Sequence, residues 1–139
     1  PHRHLKDTAH RTEISDYMSS TVISVESDST VQKTAQFMHE KNIGSLLIKE
    51  NDEYIGIVTE TDLTRKVLGG GLDPKTTKVT AVMTAQPIIT LDCHQPLTEA
   101  NAFMAKKKVR HLPITENDKI VGMISVKDLV AFFANPRLR

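Results

Sequence analysis

Residues 22–63 of this chain recur, displaced by 66 positions, as residues 88–129. Ile23/Ile89, Phe37/Phe103, Met38/Met104, Lys41/Lys107, Leu46/Leu112, Ile48/Ile114, Glu50/Glu116, Asn51/Asn117, Asp52/Asp118, Gly56/Gly122, Asp62/Asp128 and Leu63/Leu129 are identical, 12 of the 42 aligned positions. A repeat this regular means two similar structural units, so any site on one should have a near-copy on the other. A unit of about 60 residues buries too little surface to be robust alone, so the two repeats of a 139-residue chain are expected to fold as one object.

Each repeat spells the same order of elements. Short β-branched runs at 22–25 and 88–91 predict strands. Asp28 and Ser29 before Val31, and Pro96 before Leu97 with Glu99 in the first turn, are helix-start signals. Val31, Ala35 and Met38, and likewise Leu97, Ala100 and Met104, fall at helical spacing and predict amphipathic helices of about three turns. Two strands follow in each repeat, at 45–49 and 54–59, then at 111–115 and 120–125. They are joined by Glu50-Asn51-Asp52-Glu53 and Glu116-Asn117-Asp118-Lys119, where Asn and Asp tolerate the left-handed backbone of a hairpin turn. A second helix is expected over 60–68 and 126–134, the first stopped by Gly69-Gly70-Gly71. The order β-α-β-β-α, twice, predicts an α+β fold with helices covering small sheets. Related lead-ins, Ile14-Ser15-Asp16-Tyr17-Met18-Ser19 and Val79-Thr80-Ala81-Val82-Met83-Thr84, precede the repeats.

Composition narrows the functional classes. Lys+Arg 18 against Asp+Glu 17 gives a net charge of +1, so no global field draws the chain to nucleic acid or membrane. Aromatic residues at 4% and the absence of Trp argue further against a base-stacking surface. A single cysteine, Cys93, excludes an internal disulfide and a multi-cysteine zinc site, and is compatible with a reducing cytoplasm. No apolar run approaches the roughly 18–20 residues a membrane span needs. The expected location is therefore cytoplasmic. The chain begins at Pro1, which leaves a piece of a longer protein as an open reading.

Three stretches of the second repeat, Val79-Thr80-Ala81-Val82-Met83-Thr84, Val109-Arg110-His111-Leu112-Pro113-Ile114 and Gly122-Met123-Ile124-Ser125-Val126-Lys127-Asp128-Leu129, closely resemble the signature of cystathionine-β-synthase (CBS) domains. Asp16-Tyr17-Met18-Ser19, Ile43-Gly44-Ser45-Leu46-Leu47-Ile48 and Gly56-Ile57-Val58-Thr59-Glu60-Thr61-Asp62-Leu63 carry the same frame in the first. The resemblance covers roughly residues 12–135. It implies two CBS repeats packed with pseudo-twofold symmetry as a Bateman module. Its clefts would bind adenosine-containing ligands such as AMP, ADP, ATP or S-adenosylmethionine and regulate a partnered enzyme or transporter without catalysis. It also implies homodimers. The corresponding boundaries are a tail at 1–11, repeats at 12–70 and 78–135, a linker at 71–77, and a tail at 136–139.

Within that frame, Thr59-x-x-Asp62 and Ser125-x-x-Asp128 admit two readings. A hydroxyl with an acid three residues on is a helix-capping pattern. The resemblance adds that each aspartate can accept hydrogen bonds from both ribose hydroxyls, with the helix N-terminus offering N–H groups to a phosphate. The two roles can coexist. The resemblance also implies an apolar adenine slot between the repeats, lined by Ile43, Val109, Leu112 and Pro113, with Gly44 on the same strand entry and Arg110 and His111 able to reach phosphates. Arg is the better phosphate ligand of that pair, because its guanidinium bonds bidentately. The lysines at 106–108 are expected to complement a helix C-terminus as a solvated run. The first repeat has Gly44-Ser45 in place of Arg110-His111, so the two sites should be unequal, the Asp128 side being better suited to an anionic nucleotide.

Other features carry less. His2, His4 and His10 are expected to bind transition metals only adventitiously. Cys93 reads as a loop or packing residue. Gly69-Gly70-Gly71 is no phosphate loop, since no Gly-Lys-Ser/Thr follows. Phe132-Phe133, with Leu138 beyond, exceeds one helix face and is expected at a dimer surface. The chain therefore reads as a nucleotide-sensing regulatory module with no cofactor, resident metal or enzymatic activity. The alternative is a constitutive dimerisation module with vestigial clefts.

Overall fold

The computed structural model describes residues 12–134; His2, His4, His10 and Leu138 lie outside them. The elements are β1 (Ser24–Glu26), α1 (Val31–Lys41), β2 (Ser45–Glu50), β3 (Glu53–Thr59), α2 (Glu60–Asp62), β4 (Thr84–Ala85), β5 (Leu91–Asp92), α3 (Leu97–Lys107), β6 (His111–Glu116), β7 (Lys119–Ser125) and α4 (Val126–Phe133). Short 3₁₀ turns at Ile14–Asp16 and Val79–Ala81 form the lead-ins. The α+β class and the β-α-β-β-α order of each repeat are found, with an unpredicted short strand, β4, added beside β3 from the second lead-in.

Several boundaries differ from expectation for local reasons. The first strand of each repeat forms at Ser24–Glu26 and Leu91–Asp92, because only there does the backbone pair in parallel with β2 or β6. The N-cap of α1 is Thr30, whose hydroxyl accepts from Lys33 N at 3.2 Å, and not Asp28 or Ser29. On α1 the buried residues are Val31, Thr34 and Met38, and Ala35 is exposed. After α2 the chain widens into a π-helix at Leu63–Leu68, closed by Gly69 N donating to Thr64 O at 2.8 Å. The hairpin loops are two residues long, Asn51-Asp52 and Asn117-Asp118, with φ of 51° and 63° in the first and 52° and 63° in the second. Positive φ at both positions matches the twist of the flanking strands, and Asn and Asp tolerate it best after glycine.

The chain divides into two compact units that are not contiguous in sequence. One comprises the described residues up to Val22 together with those from Ile89 onward. The other is Ile23–Ile88. Each lead-in therefore packs with the core of the repeat it does not immediately precede. In the first unit Ile14 N donates to Gln95 O at 2.9 Å and Ser19 exchanges hydrogen bonds with Met123 at 2.8 and 2.9 Å. Ile14 is buried with Leu97, Met104, Leu112, Ile114 and Phe132. In the second unit Val79 N donates to Ser29 O at 2.8 Å, β4 pairs with β3, and Val79 and Val82 join Val31, Leu46, Ile48 and Val58.

The identical glycines follow from this arrangement. A Cβ on Gly122 would lie 2.5 Å from Met18 Sδ and 2.7 Å from Ser19 O. One on Gly56 would lie 2.5 Å from Met83 Sδ and 2.8 Å from Thr84 O. The lead-in methionine occupies the space a side chain would need.

Candidate functional site

In each unit the antiparallel hairpin delivers a hydroxyl and a carboxylate to the start of a helix. Register pairs Ser45 with Thr59 and His111 with Ser125, so strand entry and helix entry lie side by side. Glu60 N donates to Gly44 O and Val126 N to Arg110 O, each at 3.0 Å, closing the corner.

Thr59 and Ser125 are N-caps with extended backbone, and both corners form complete capping boxes. Asp62 Oδ2 accepts from Thr59 N at 2.9 Å and from Thr59 Oγ1 at 3.2 Å, while Asp62 N donates to Thr59 Oγ1 at 3.3 Å. Asp128 repeats this with Ser125 at 2.8, 3.1 and 3.3 Å. Three of the N-terminal donors at each corner are thereby used, at Thr59, Glu60 and Asp62 and at Ser125, Val126 and Asp128. The helix start thus offers a phosphate fewer free N–H groups than a bare helix end.

The remaining carboxylate oxygens differ. Asp62 Oδ1 is 3.0 Å from Lys66 Nζ, which also donates to Val82 O at 2.9 Å. Asp128 Oδ1 accepts no hydrogen bond and meets no cation among the described residues. The position one helical turn on is Phe132, which is buried. Arg110 is exposed beside this corner, and its side chain makes no ion pair among the described residues. His111 is half-buried at the start of β6.

The predicted adenine-lining residues separate by face. Strand alternation turns Leu112 and Ile114 into the core of their unit, so the Leu112 side chain is committed to packing. His111 and Pro113 take the opposite face of β6. Val109 is half-buried against the core, its N–H donating to Met104 O at 3.1 Å. In the other unit, Ile43 lines a cavity of about 270 Å³ together with Glu60, Leu63 and the end of α1 from Ala35 to Asn42. Gly44, Thr59 and Asp62 do not line it. Phe132 and Phe133 stack edge to face at 5.0 Å, and Phe132 is only 2% exposed. The expected dimer surface at Phe132 is therefore corrected: that ring fills the core over Tyr17, 4.9 Å away. The exposed apolar residues of α4 are instead Val126 and Val130, at 39% and 61%.

Comparison with known proteins gives a consistent family. The CBS-domain family profile matches residues 14–69 and 79–135. A protein of Methanopyrus kandleri, MK0525, is 38% identical over 103 residues, covering 73% of this chain and 52% of its own length. The chain thus spans about half of that curated relative. A CBS-domain protein of Burkholderia ambifaria MC40-6, ascribed to signal transduction, superposes with a TM-score of 0.79 at 35% identity, covering 84% of this chain and 85% of its own. The CBS domain pair of protein MJ0100, solved with 5′-methylthioadenosine and S-adenosyl-L-methionine, shares the fold with a TM-score of 0.76 at 21% identity, covering 88% and 95%.

Proposed function

The chain belongs to the CBS-domain family as a tandem pair, and from that premise we propose that it is a regulatory module sensing an adenosine-containing ligand, with the Asp128 corner as its stronger site. CBS-pair proteins are regulatory modules, and the MJ0100 pair was solved with two adenosine compounds. The observation that carries the reading is the open Asp128 Oδ1, at a corner whose backbone adjoins Arg110 and His111. Oδ2 caps the helix while Oδ1 is left to accept from a ribose diol, and Arg110, exposed at the adjoining strand entry, is proposed to reach a phosphate. At the Asp62 corner the corresponding oxygen is taken by Lys66, and Gly44 and Ser45 supply no cation. That corner is proposed as weaker, or as suited to a less anionic ligand.

Thermal melting against AMP, ADP, ATP, NAD, S-adenosylmethionine and GTP tests this. A ligand at 100 times its Kd adds about 2.7 kcal/mol, an upward shift of several degrees in a chain this small. A shift with one of the adenosine compounds, absent with GTP, supports the sensor. No shift with any member of the panel contradicts it.

One observation favours the alternative, a constitutive interaction module. The capping boxes alone account for both Ser/Thr-x-x-Asp patterns. In either reading the proposed assembly is a homodimer, with Val126 and Val130 as exposed apolar residues one turn apart. Sedimentation of Val130→Asp beside the parent tests that surface: a smaller species is expected, and an unchanged one argues against it. The proposed partner is an enzyme or transporter acting downstream, with no nucleic acid and no membrane.

A further inference from the structure

A second cluster lies away from the Asp128 corner, where β5 runs into the loop before α3. Cys93 is 2% exposed and aims Sγ at Glu116 Oε2, 3.7 Å away at the hairpin. The same Glu116 oxygen is 3.2 Å from His94 Nε2, and the other ring nitrogen, Nδ1, is 3.1 Å from Glu13 Oε2 in the lead-in. Donor atoms of Asp92, Cys93 and His94 all lie within 4.8 Å of one another. All these residues belong to one unit.

We propose that Cys93 Sγ, His94 Nε2 and Glu116 Oε2, with Asp92 as fourth donor, form a binding site for a thiophilic divalent cation, zinc by ligand type. The two edges that meet at Glu116 Oε2 have lengths a tetrahedral site would need. Zinc bonds of about 2.3 Å to sulfur and about 2.0 Å to nitrogen or oxygen give N···O edges of about 3.3 Å and S···O edges of about 3.5 Å. The observed values are 3.2 and 3.7 Å. The mixed thiolate, imidazole and carboxylate set suits zinc over magnesium or calcium, which take oxygen donors. Glu13 supplies the outer partner a zinc-bound histidine usually has: a carboxylate on Nδ1 fixes the tautomer that leaves Nε2 to the metal. Ser15 Oγ in turn donates to Glu13 Oε2 at 3.4 Å.

Metal binding here would deprotonate the Cys93 thiol and exchange the His94–Glu116 hydrogen bond for bonds to the ion. Such an ion would tie together the lead-in, the loop before α3 and the β6–β7 hairpin.

Cobalt titration of the full chain is the test, since Cys93 is the sole cysteine and a thiolate-to-cobalt charge-transfer band reports it alone. One equivalent of Co²⁺ should produce the band and Zn²⁺ should abolish it. Cys93→Ser should lack it. His94→Gln and Glu116→Gln, both at exposed positions, should each bind at least about tenfold more weakly, and Glu13→Gln about 10–100-fold more weakly as an outer partner. A parallel variant with His2→Gln, His4→Gln and His10→Gln should retain the band, which separates the site from adventitious binding to those histidines. Melting curves recorded alongside confirm that each variant is folded. Absence of the band in the parent overturns the proposal. So does parent-like affinity in either His94→Gln or Glu116→Gln, or loss of the band in the triple histidine variant.

Discussion

Lys66 Nζ stands 3.0 Å from Asp62 Oδ1, one helical turn away, whereas the residue one turn from Asp128 is the buried Phe132. A single difference between the repeats thus ties up one aspartate and leaves its twin with an open oxygen. It is the clearest physical source of inequality between corners whose capping geometry is otherwise nearly the same.

The Lys66–Asp62 pair should matter little to stability. The Lys66 side chain is 46% exposed and that of Asp62 12%, and Asp62 keeps its two hydrogen bonds from Thr59 without the lysine, so the loss should stay near the upper end of what such helix pairs contribute, about 0.5–1 kcal/mol. Lys66→Met is expected to change the unfolding free energy by less than about 1 kcal/mol and to leave binding at the Asp128 corner within about twofold of the parent. Urea unfolding and calorimetry check both parts. A large loss of binding at Asp128 would show that the corners are not independent.

The capping hydroxyls should be structural in their own right. Ser125→Ala removes the acceptor for Asp128 N and is expected to cost about 0.5–2 kcal/mol with no ligand present. Denaturant titration of the free protein measures it. A cost near zero would mean that water replaces the cap.

Gly122→Ala should destabilise by about 1–3 kcal/mol, because the new methyl meets Met18 Sδ and the carbonyl of Ser19. Met18→Ala in the same chain should recover only part of this, since the backbone oxygen remains. Full recovery would place the clash on the methionine alone.

The lead-in should behave as core and not as a tail. Ile14→Ala is expected to cost about 2–5 kcal/mol, the usual range for a fully buried isoleucine. A midpoint indistinguishable from the parent would contradict the packing of this segment against Leu97 and Phe132.

Much of the fold could be read from the chain because local chemistry and tertiary structure agree. Asn51-Asp52 and Asn117-Asp118 mark their turns through a backbone few residues tolerate, and Leu97, Ala100 and Met104 fall on one helix face that is indeed buried. The features without a sequence signal depend on contacts distant in sequence. The cross-packing of Met18 with Gly122 and Met83 with Gly56 has no local signal, although Met-before-strand and Gly-in-strand recur in both repeats. The π-helix at Leu63–Leu68 leaves a composition indistinguishable from an α-helix. Phe132 reads as surplus apolar surface in the sequence because its partner Tyr17 sits 115 positions earlier. At the candidate site, the Thr59–Asp62 and Ser125–Asp128 pairs were legible from spacing, while the engagement of Asp62 by Lys66 needed the geometry. Cys93 and His94 gave no motif because Glu13 and Glu116 come from distant segments.

An adenosine ligand is proposed to be held chiefly at Asp128. Isothermal calorimetry with AMP, ATP and S-adenosylmethionine on the parent, Asp62→Asn and Asp128→Asn tests it directly, since asparagine retains an oxygen for the helix cap but removes the carboxylate. The parent should bind saturably, with binding lost or weakened at least tenfold in Asp128→Asn and changed much less in Asp62→Asn. Binding that survives Asp128→Asn unchanged, or that is absent from the parent for all three ligands, would contradict it.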